Sequence, residues 1–334
     1  MPRLRRASPA SPGWTRRRAG TGFTYVDDDG VRLDAESAAR CKALVIPPAW
    51  QDVWICPAAN GHIQAVGTDE AGRRQYLYHP VWREQRDKAK HDRVLTVARR
   101  LPAARRVAAG HLGLDGMPKE RALAAAFRLL DLGLFRIGGE SYAEEHGSYG
   151  LATIRRNHVD IDGSEVVFEY VAKSGQDRLV AVDDATVVEA ISVMRRRRSG
   201  GDELLAFKRD GRWRDVTSDD INAYVKDVIG ADASAKDFRT WHGTVLAAVA
   251  LAGKTDATSM TARKRAVRAA ITSVAENLGN TPSVARASYV DPRIVDHFED
   301  GVTIAPTLAR LGPRMAPGPR RDKIERAVLR MLRQ

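Results

Sequence analysis

Two cysteines, Cys41 and Cys56, are all that 334 residues carry. That is too few for a metal quartet, and nothing suggests a secreted disulfide scaffold, so a reducing cytoplasm is the expected compartment. No apolar run approaches the ~20 residues that a membrane helix needs, and no membrane partner is expected. There is no H-E-x-x-H, no Cys/His array and no carboxylate cluster, so no metal is expected. The adjacent pairs Asp183-Asp184 and Asp219-Asp220 read as turn or cap residues. A G-x-x-x-x-G-K-[ST] phosphate loop is also missing, and with it any sign of ATP use. The first twenty residues, MPRLRRASPASPGWTRRRAG, lack the apolar core of a secretory signal. They read as a flexible basic tail that brushes phosphates.

What the chain has in excess is positive charge. Lys and Arg number 54 against 42 Asp and Glu, a net +12, with a pI near 9.9. That balance points to a polyanionic partner, most often nucleic acid. At 43% hydrophobic and 29% charged residues, the chain can bury real cores and has room for two domains. Residues 21–79 read as β-rich, with turns at an Asp-Gly pair and at Gly61, Gly67 and Gly72. A charged helical segment, WREQRDKAKHDRVLTVARRL, follows, and a domain boundary is expected near residue 90. Downstream, Ala, Leu and Arg recur at helical spacing, as in KERALAAAFRLLDL. One β island interrupts these helices. Asp162-Gly163-Ser164 predicts a hairpin turn, and Lys173-Ser174-Gly175 a second turn, with Lys173 at its tip. The run RRRRSGG, Arg195 to Gly201, reads as an exposed helix end.

Near the C-terminus, AVRAAITSVAENL places Val267, Ile271, Val274 and Leu278 on one helical face. Gly279 follows where a left-handed cap belongs. Thr281-Pro282 reads as the N-cap and first turn of a new, short helix, with Tyr289 near its end. Taken singly, Asn280 is a turn former and Tyr289 a packing residue. RRDKIERAVLRMLRQ reads as a terminal helix packed on the second domain.

Metal-free cleavage of a phosphodiester needs a nucleophile, cations for the developing charge, and an acid for the departing oxygen. Arginine suits the second task because its fork pairs with phosphate oxygens and stays charged. Against that requirement, FRIGGESYAEEHGSYG, YVAKSG, KDFRTWHGT and LGNTPSVARASY, in that order and with compatible spacing, resemble the type IB DNA topoisomerases. The resemblance is to the poxvirus-like branch of viruses and bacteria, within the tyrosine recombinase/topoisomerase IB superfamily. It covers most of the chain, including IPPAWQDVWIC and GRRQYLYH.

The resemblance implies an α+β two-domain clamp. A small β-rich N-terminal DNA-clamping domain would span residues 1–90, with 1–20 as the flexible tail. A larger, mainly α-helical catalytic domain with a three-stranded β element would span 91–334. It implies that Tyr289 is the nucleophile, Arg136 and Arg239 hold the scissile phosphate, and Lys173 is the general acid. Asn280 stands where many relatives carry histidine; its NH₂ can still donate to a phosphate oxygen but cannot carry charge. Gln75, Tyr76, Tyr78, Tyr142 and Lys236 are the implied DNA contacts. Gly139 stands where some viral relatives carry a base-contacting lysine. Supercoiled duplex DNA is then the substrate, relaxed without ATP or metal by a monomer, cytoplasmic and nucleoid-associated if bacterial. Two other readings stay open at the level of sequence. One is a tyrosine site-specific recombinase, in which Lys236 would usually be histidine and the N-terminal domain helical. The other is a non-catalytic DNA-binding relative.

Overall fold

A computed structural model describes residues 3–132, 135–139, 143, 147–230, 232–254, 257–311 and 315–333. The chain divides into two compact units, Met1–Lys90 and His91–Gln334, and its class is α+β.

The first unit is built on an antiparallel sheet of order β2-β1-β3-β4-β5. Its strands are β1 (Trp14–Ala19), β2 (Gly22–Val26), β3 (Gln51–Ile55), β4 (Ile63–Thr68) and β5 (Arg74–Tyr78). Tyr25, Val53, Ile55 and Ala65 pack with Ile46 and with Cys41 of helix α1 (Ala35–Ala43) into a small core. Asp34 caps that helix by accepting the Ser37 N–H at 2.8 Å. Both cysteines are buried and unbridged.

The N-terminal stretch departs from the expected flexible tail. β1 pairs with both β2 and β3, so the sheet begins at Trp14 rather than near residue 21. The Arg16 guanidinium donates to the carbonyls of Ile46 at 3.0 Å, Pro47 at 3.0 Å and Trp50 at 2.7 Å. Trp54 Nε1 donates to Ser11 O at 3.0 Å, and Asn60 Nδ2 to Arg3 O at 3.0 Å. The sequence hides this strand because its side chains are largely arginine, and the period-2 signal of a strand rests on apolar alternation.

In the second unit, helix α2 (Pro80–Leu112), which starts in the first, buries Val94, Leu95, Ala98, Leu101, Ala104, Ala108 and Leu112, one stripe at helical spacing. Helix α3 (Lys119–Asp131) is buried on almost every side, as befits a central helix. A three-stranded sheet follows, order β6-β7-β8, from β6 (Val159–Asp162), β7 (Glu165–Ala172) and β8 (Gln176–Val182). Helix α4 (Ala185–Arg195) leads to a two-stranded hairpin that the sequence reading did not include, β9 (Ala206–Arg209) and β10 (Arg212–Asp215). The remaining helices are α5 (Ser218–Ile229), α6 (Ala235–Ala252), α7 (Met260–Leu278), α8 (Pro282–Ser288), α9 (Arg293–Glu299), α10 (Ala305–Ala309) and α11 (Pro317–Met331). Helix α6 packs against α3, α7 and α11, and α7 against α8.

Two features fix this scaffold. Asp131, fully buried at the end of α3, accepts from Arg105 at 3.0 Å, Arg128 at 2.9 Å and Arg321 at 2.8 Å. Glu325 of α11 joins through Arg105 at 2.8 Å and Arg321 at 2.8 Å. The arginines draw both carboxyls below the ordinary carboxylate range against the opposing effect of burial. The second feature corrects the reading of the arginine run as a solvated end. Arg197 is only 5% exposed. Its guanidinium donates to the carbonyls of Met194 (3.0 Å), Leu204 (2.9 Å), Gly201 (3.0 Å) and Glu203, and to the Asp215 carboxylate at 3.1 Å. Five acceptors offset the desolvation of one charge.

Candidate active site

The site is organised by the end of one helix. α7 stops at Gly279, whose φ of 60° is left-handed, and Asn280 N–H returns to Ala275 O at 2.8 Å. A helix C-terminus exposes unsatisfied carbonyls and carries the negative end of the macrodipole. Three consecutive carbonyls here are each taken by an arginine from a different part of the fold. Arg178 of β8 donates to Asn277 O at 3.2 Å. Arg239 of α6 donates to Leu278 O at 2.6 Å. Arg136, five residues beyond α3, donates to Gly279 O at 2.6 Å and to Asn280 Oδ1 at 2.8 Å. The same carbonyl row therefore gathers three cations within one turn.

Arg239 is 4% exposed, and its Nε has no hydrogen-bond partner among the described residues. Burial lowers the pKa of Arg239, and the Arg136 charge adds to the effect. Burial likewise lowers that of Arg136, with Arg178 adding to it. Like charges held together out of water are a standing cost that an anion relieves. The site is thus built to receive a group such as a phosphate, whose oxygens suit the guanidinium fork.

Tyr289 lies against one of these cations. The Arg239 guanidinium carbon lies 5.2 Å from its ring centroid. Its backbone is pinned from both sides. Thr281 caps α8 by accepting from Val284 N–H at 3.3 Å, with Pro282 in the first turn, and Tyr289 N–H closes the helix onto Ala285 O at 3.0 Å. On the other side, the Thr244 hydroxyl of α6 donates to Tyr289 O at 3.3 Å and accepts from Asp291 N–H at 3.1 Å. Gly243 leaves room for this contact: a Cβ there would lie 2.7 Å from Tyr289 O. Arg293 holds the buried Asp291 carboxylate at 2.7 Å.

Lys173 lies at the tip of the β7–β8 hairpin, exposed, ahead of two left-handed residues, Ser174 (φ 67°) and Gly175 (φ 68°). Below it the hairpin register pairs Tyr170 with Arg178. Burial pushes the Tyr170 hydroxyl up, while the charges of Arg178, Arg136 and Arg239 pull it down. Lys236 is exposed in the first turn of α6, one turn before Arg239. The neighbouring Asp237 is buried and closes the helix cap, accepting from Ser234 N–H at 2.8 Å and from Arg93 at 2.7 Å.

Arg136, Arg239, Asn280 and Tyr289 are thus brought together, with Lys173 on a hairpin whose Arg178 reaches the same helix end. The Asn280 amide is turned differently from the expected use of its NH₂ on a phosphate. Its Oδ1 serves Arg136, and its Nδ2 lies 3.3 Å from Leu278 O. In the first unit, Tyr76 and Tyr78 are 40% and 39% exposed and stack at 6.0 Å with an 11° tilt. They form an aromatic face outside the core. Gln75, half-buried on the same strand, donates its Nε2 to Asp69 Oδ2 at 2.9 Å. Tyr142 lies outside the described residues. Sequence reasoning missed Arg178, Gly243 and Thr244. For Arg178 a signal existed, since the Lys173-Ser174-Gly175 turn fixes a register opposite Tyr170.

Comparison with known proteins gives the family of the chain. The family model for the catalytic core of eukaryotic DNA topoisomerase I matches residues 79–302. The family model for the N-terminal domain of bacterial DNA topoisomerase IB matches residues 22–69. The DNA topoisomerase 1B of Acanthamoeba polyphaga mimivirus is 28% identical over 287 residues, 83% of this chain and 85% of its own. The DNA topoisomerase I of Monkeypox virus and the DNA topoisomerase 1B of Vaccinia virus (strain Copenhagen) are each 23% identical over 236 residues, 70% of this chain and 72% of theirs. With two thirds of its length matched by the catalytic-core family and most of the remainder of its sheet by the bacterial N-terminal one, the chain belongs to the type IB DNA topoisomerases.

Proposed function

We propose that Tyr289 cleaves one strand of duplex DNA by attacking the scissile phosphorus held by Arg136 and Arg239. The phenolic proton is lost, the Tyr289 Oη–P bond forms, and the P–O5′ bond breaks as Lys173 Nζ protonates the departing oxygen. The product is a 3′-phosphotyrosyl link and a free 5′-hydroxyl. The freed end rotates, and attack by the hydroxyl reseals the strand. The bond energy is conserved in the phosphotyrosine, so relaxation requires neither ATP nor a metal. The observation that carries this reading is the convergence of Arg136 and Arg239 on consecutive carbonyls, 2.6 Å each, with the Arg239 guanidinium against the Tyr289 ring. Fixed cations placed where charge develops are the largest single contribution in this type of chemistry. Asn280 orients Arg136 through its Oδ1. Lys236, the exposed Tyr76 and Tyr78, and the half-buried Gln75 contact DNA, with residues 1–90 as the clamping part of a monomer. Binding by so basic a chain weakens steeply with salt as counterions are released.

The test is relaxation of negatively supercoiled plasmid in EDTA without ATP by wild type and Tyr289→Phe, together with trapping of a covalent adduct under denaturing conditions. Wild type relaxes and leaves an adduct; the variant binds DNA and does neither. Equal activity in both proteins refutes Tyr289 as the nucleophile. Wild type that binds but leaves no adduct refutes the transesterification itself.

A further inference from the structure

The third arginine at the end of α7 has no part in the chemistry above, yet it occupies a specific place. Arg178 stems from β8, on the same hairpin that carries Lys173 at its turn. It pairs across the strands with Tyr170, and its Nη2 donates to Asn277 O in the last turn of α7 at 3.2 Å. It also lies close to the turn that follows. A Cβ added at Gly279 would sit 2.9 Å from Arg178 Nη1, 3.3 Å from its Cζ and 3.5 Å from Gln176 Oε1. The hairpin is therefore seated on the α7–α8 turn through one side chain, with glycine at 279 as the residue that permits the approach. That turn holds Arg136 through Gly279 O and Asn280 Oδ1.

We infer that Arg178 is a positioning residue: it docks the Lys173 hairpin onto the turn that orients Arg136, and so sets where the general acid meets the departing oxygen. The inference rests on the proposed role of Lys173. The hairpin tip is exposed and turns through two left-handed residues, so the position of the acid depends on a tie farther down the strands. A planar guanidinium suits that tie because it serves a carbonyl at one edge while its face covers the backbone. The step affected is proton transfer from Lys173 Nζ to O5′ as the P–O5′ bond breaks. Formation of the Tyr289 Oη–P bond is untouched.

A substrate whose bridging 5′ oxygen is replaced by sulfur tests this, because a thiol (pKa ~8.5) leaves as the thiolate without needing a proton. Single-turnover cleavage of a short duplex is measured for wild type, Lys173→Ala, Arg178→Ala and Arg178→Lys on both the oxygen and the sulfur substrate. Circular dichroism and the thermal midpoint check folding. On the oxygen substrate Arg178→Ala is expected to be about 100-fold slower than wild type, the effect of misplacing a catalytic group by about 1 Å. On the sulfur substrate it comes within about tenfold of wild type, as Lys173→Ala does. Arg178→Lys, which keeps the charge but loses the planar fork, stays slow on oxygen and is rescued by sulfur. If Arg178→Ala is equally slow on both substrates while Lys173→Ala is rescued, Arg178 acts on the phosphate or on folding, and the inference alone is overturned. If Lys173→Ala itself gains nothing from sulfur, the general-acid role falls and the inference falls with it. An Arg178→Ala protein that is folded and fast on oxygen overturns the inference directly.

Discussion

Replacing Gly243 by alanine probes how Tyr289, the proposed nucleophile, is held without touching any proposed reacting group. The added Cβ would lie 2.7 Å from Tyr289 O and 3.1 Å from Tyr289 Cβ, where carbon–oxygen contacts settle at about 3.3–3.6 Å. Tyr289 must therefore retreat from α6 by roughly 0.6 Å, the difference between those distances. The same shift strains the Thr244 hydroxyl bond to Tyr289 O. Overpacking of this kind costs about 1–3 kcal/mol. Alanine in place of glycine within a helix returns up to about 1 kcal/mol. The net loss is about 1 kcal/mol, a fall in thermal midpoint of about 2–4 °C for a domain of this size. Cleavage suffers more than stability, because a nucleophile displaced by a large fraction of 1 Å loses roughly ten- to a hundredfold in rate. The assay is single-turnover formation of the covalent adduct on a short duplex, beside DNA affinity and the melting curve. Expected are unchanged binding, a small drop in midpoint and a slowed adduct. Adduct formation at the wild-type rate refutes the argument that α6 sets the position of Tyr289.

Asn280→Ala removes an acceptor of the Arg136 guanidinium, a charge-assisted bond, and slows adduct formation about ten- to a hundredfold; Asn280→Asp keeps the acceptor but places a negative charge beside the phosphate and is slower still, and an alanine variant as fast as wild type removes Asn280 from the mechanism. Asp131→Asn leaves Arg105 and Arg321 short of their buried counter-charge and destabilises the second unit by about 3–5 kcal/mol, read from the urea midpoint; a change below about 0.5 kcal/mol, the ordinary range of a surface substitution, contradicts this account. Burial, with Arg321 adding to it, holds His242 neutral down to a pKa of about 4. A histidine depressed on folding contributes stability above its unfolded pKa of ~6.5 and loses it as pH falls towards the folded value. Thermal midpoints should therefore begin to fall below about pH 6.5, before the depressed carboxylates of Asp131 and Glu325 contribute their own loss below the ordinary carboxylate range. His242→Gln removes the first part of that fall and leaves the second, and identical pH profiles for variant and wild type would falsify the assignment.

The local devices around Tyr289 were legible residue by residue. Gly279 is the left-handed stop of α7, Thr281 the cap and Pro282 the first turn of α8, and Tyr289 its end. Each depends on backbone rules that act within a few residues. The β6–β7–β8 element was legible for the same reason, since glycine-bearing turns mark where strands reverse. The basic strand β1 and the buried Arg197 were not. Their side chains carry the composition of a solvated surface, and only acceptors supplied from distant segments make burying or ordering them favourable. The identities of Arg136, Lys173, Arg239 and Tyr289 came from their order along the chain and the family it resembles. Their meeting point did not. Three arginines, separated by up to 103 residues (239 − 136), converge because the last carbonyls of one helix have no partners of their own. That convergence includes Arg178, whose place opposite Tyr170 the hairpin turn fixes but whose reach to the end of α7 no local pattern gives. The sequence by itself determined the helices, the turns and the reactive groups, since these follow from short-range preferences. Only the tertiary structure decided which helix end gathers the charges and which glycine admits Tyr289, because both depend on packing between segments far apart in the chain.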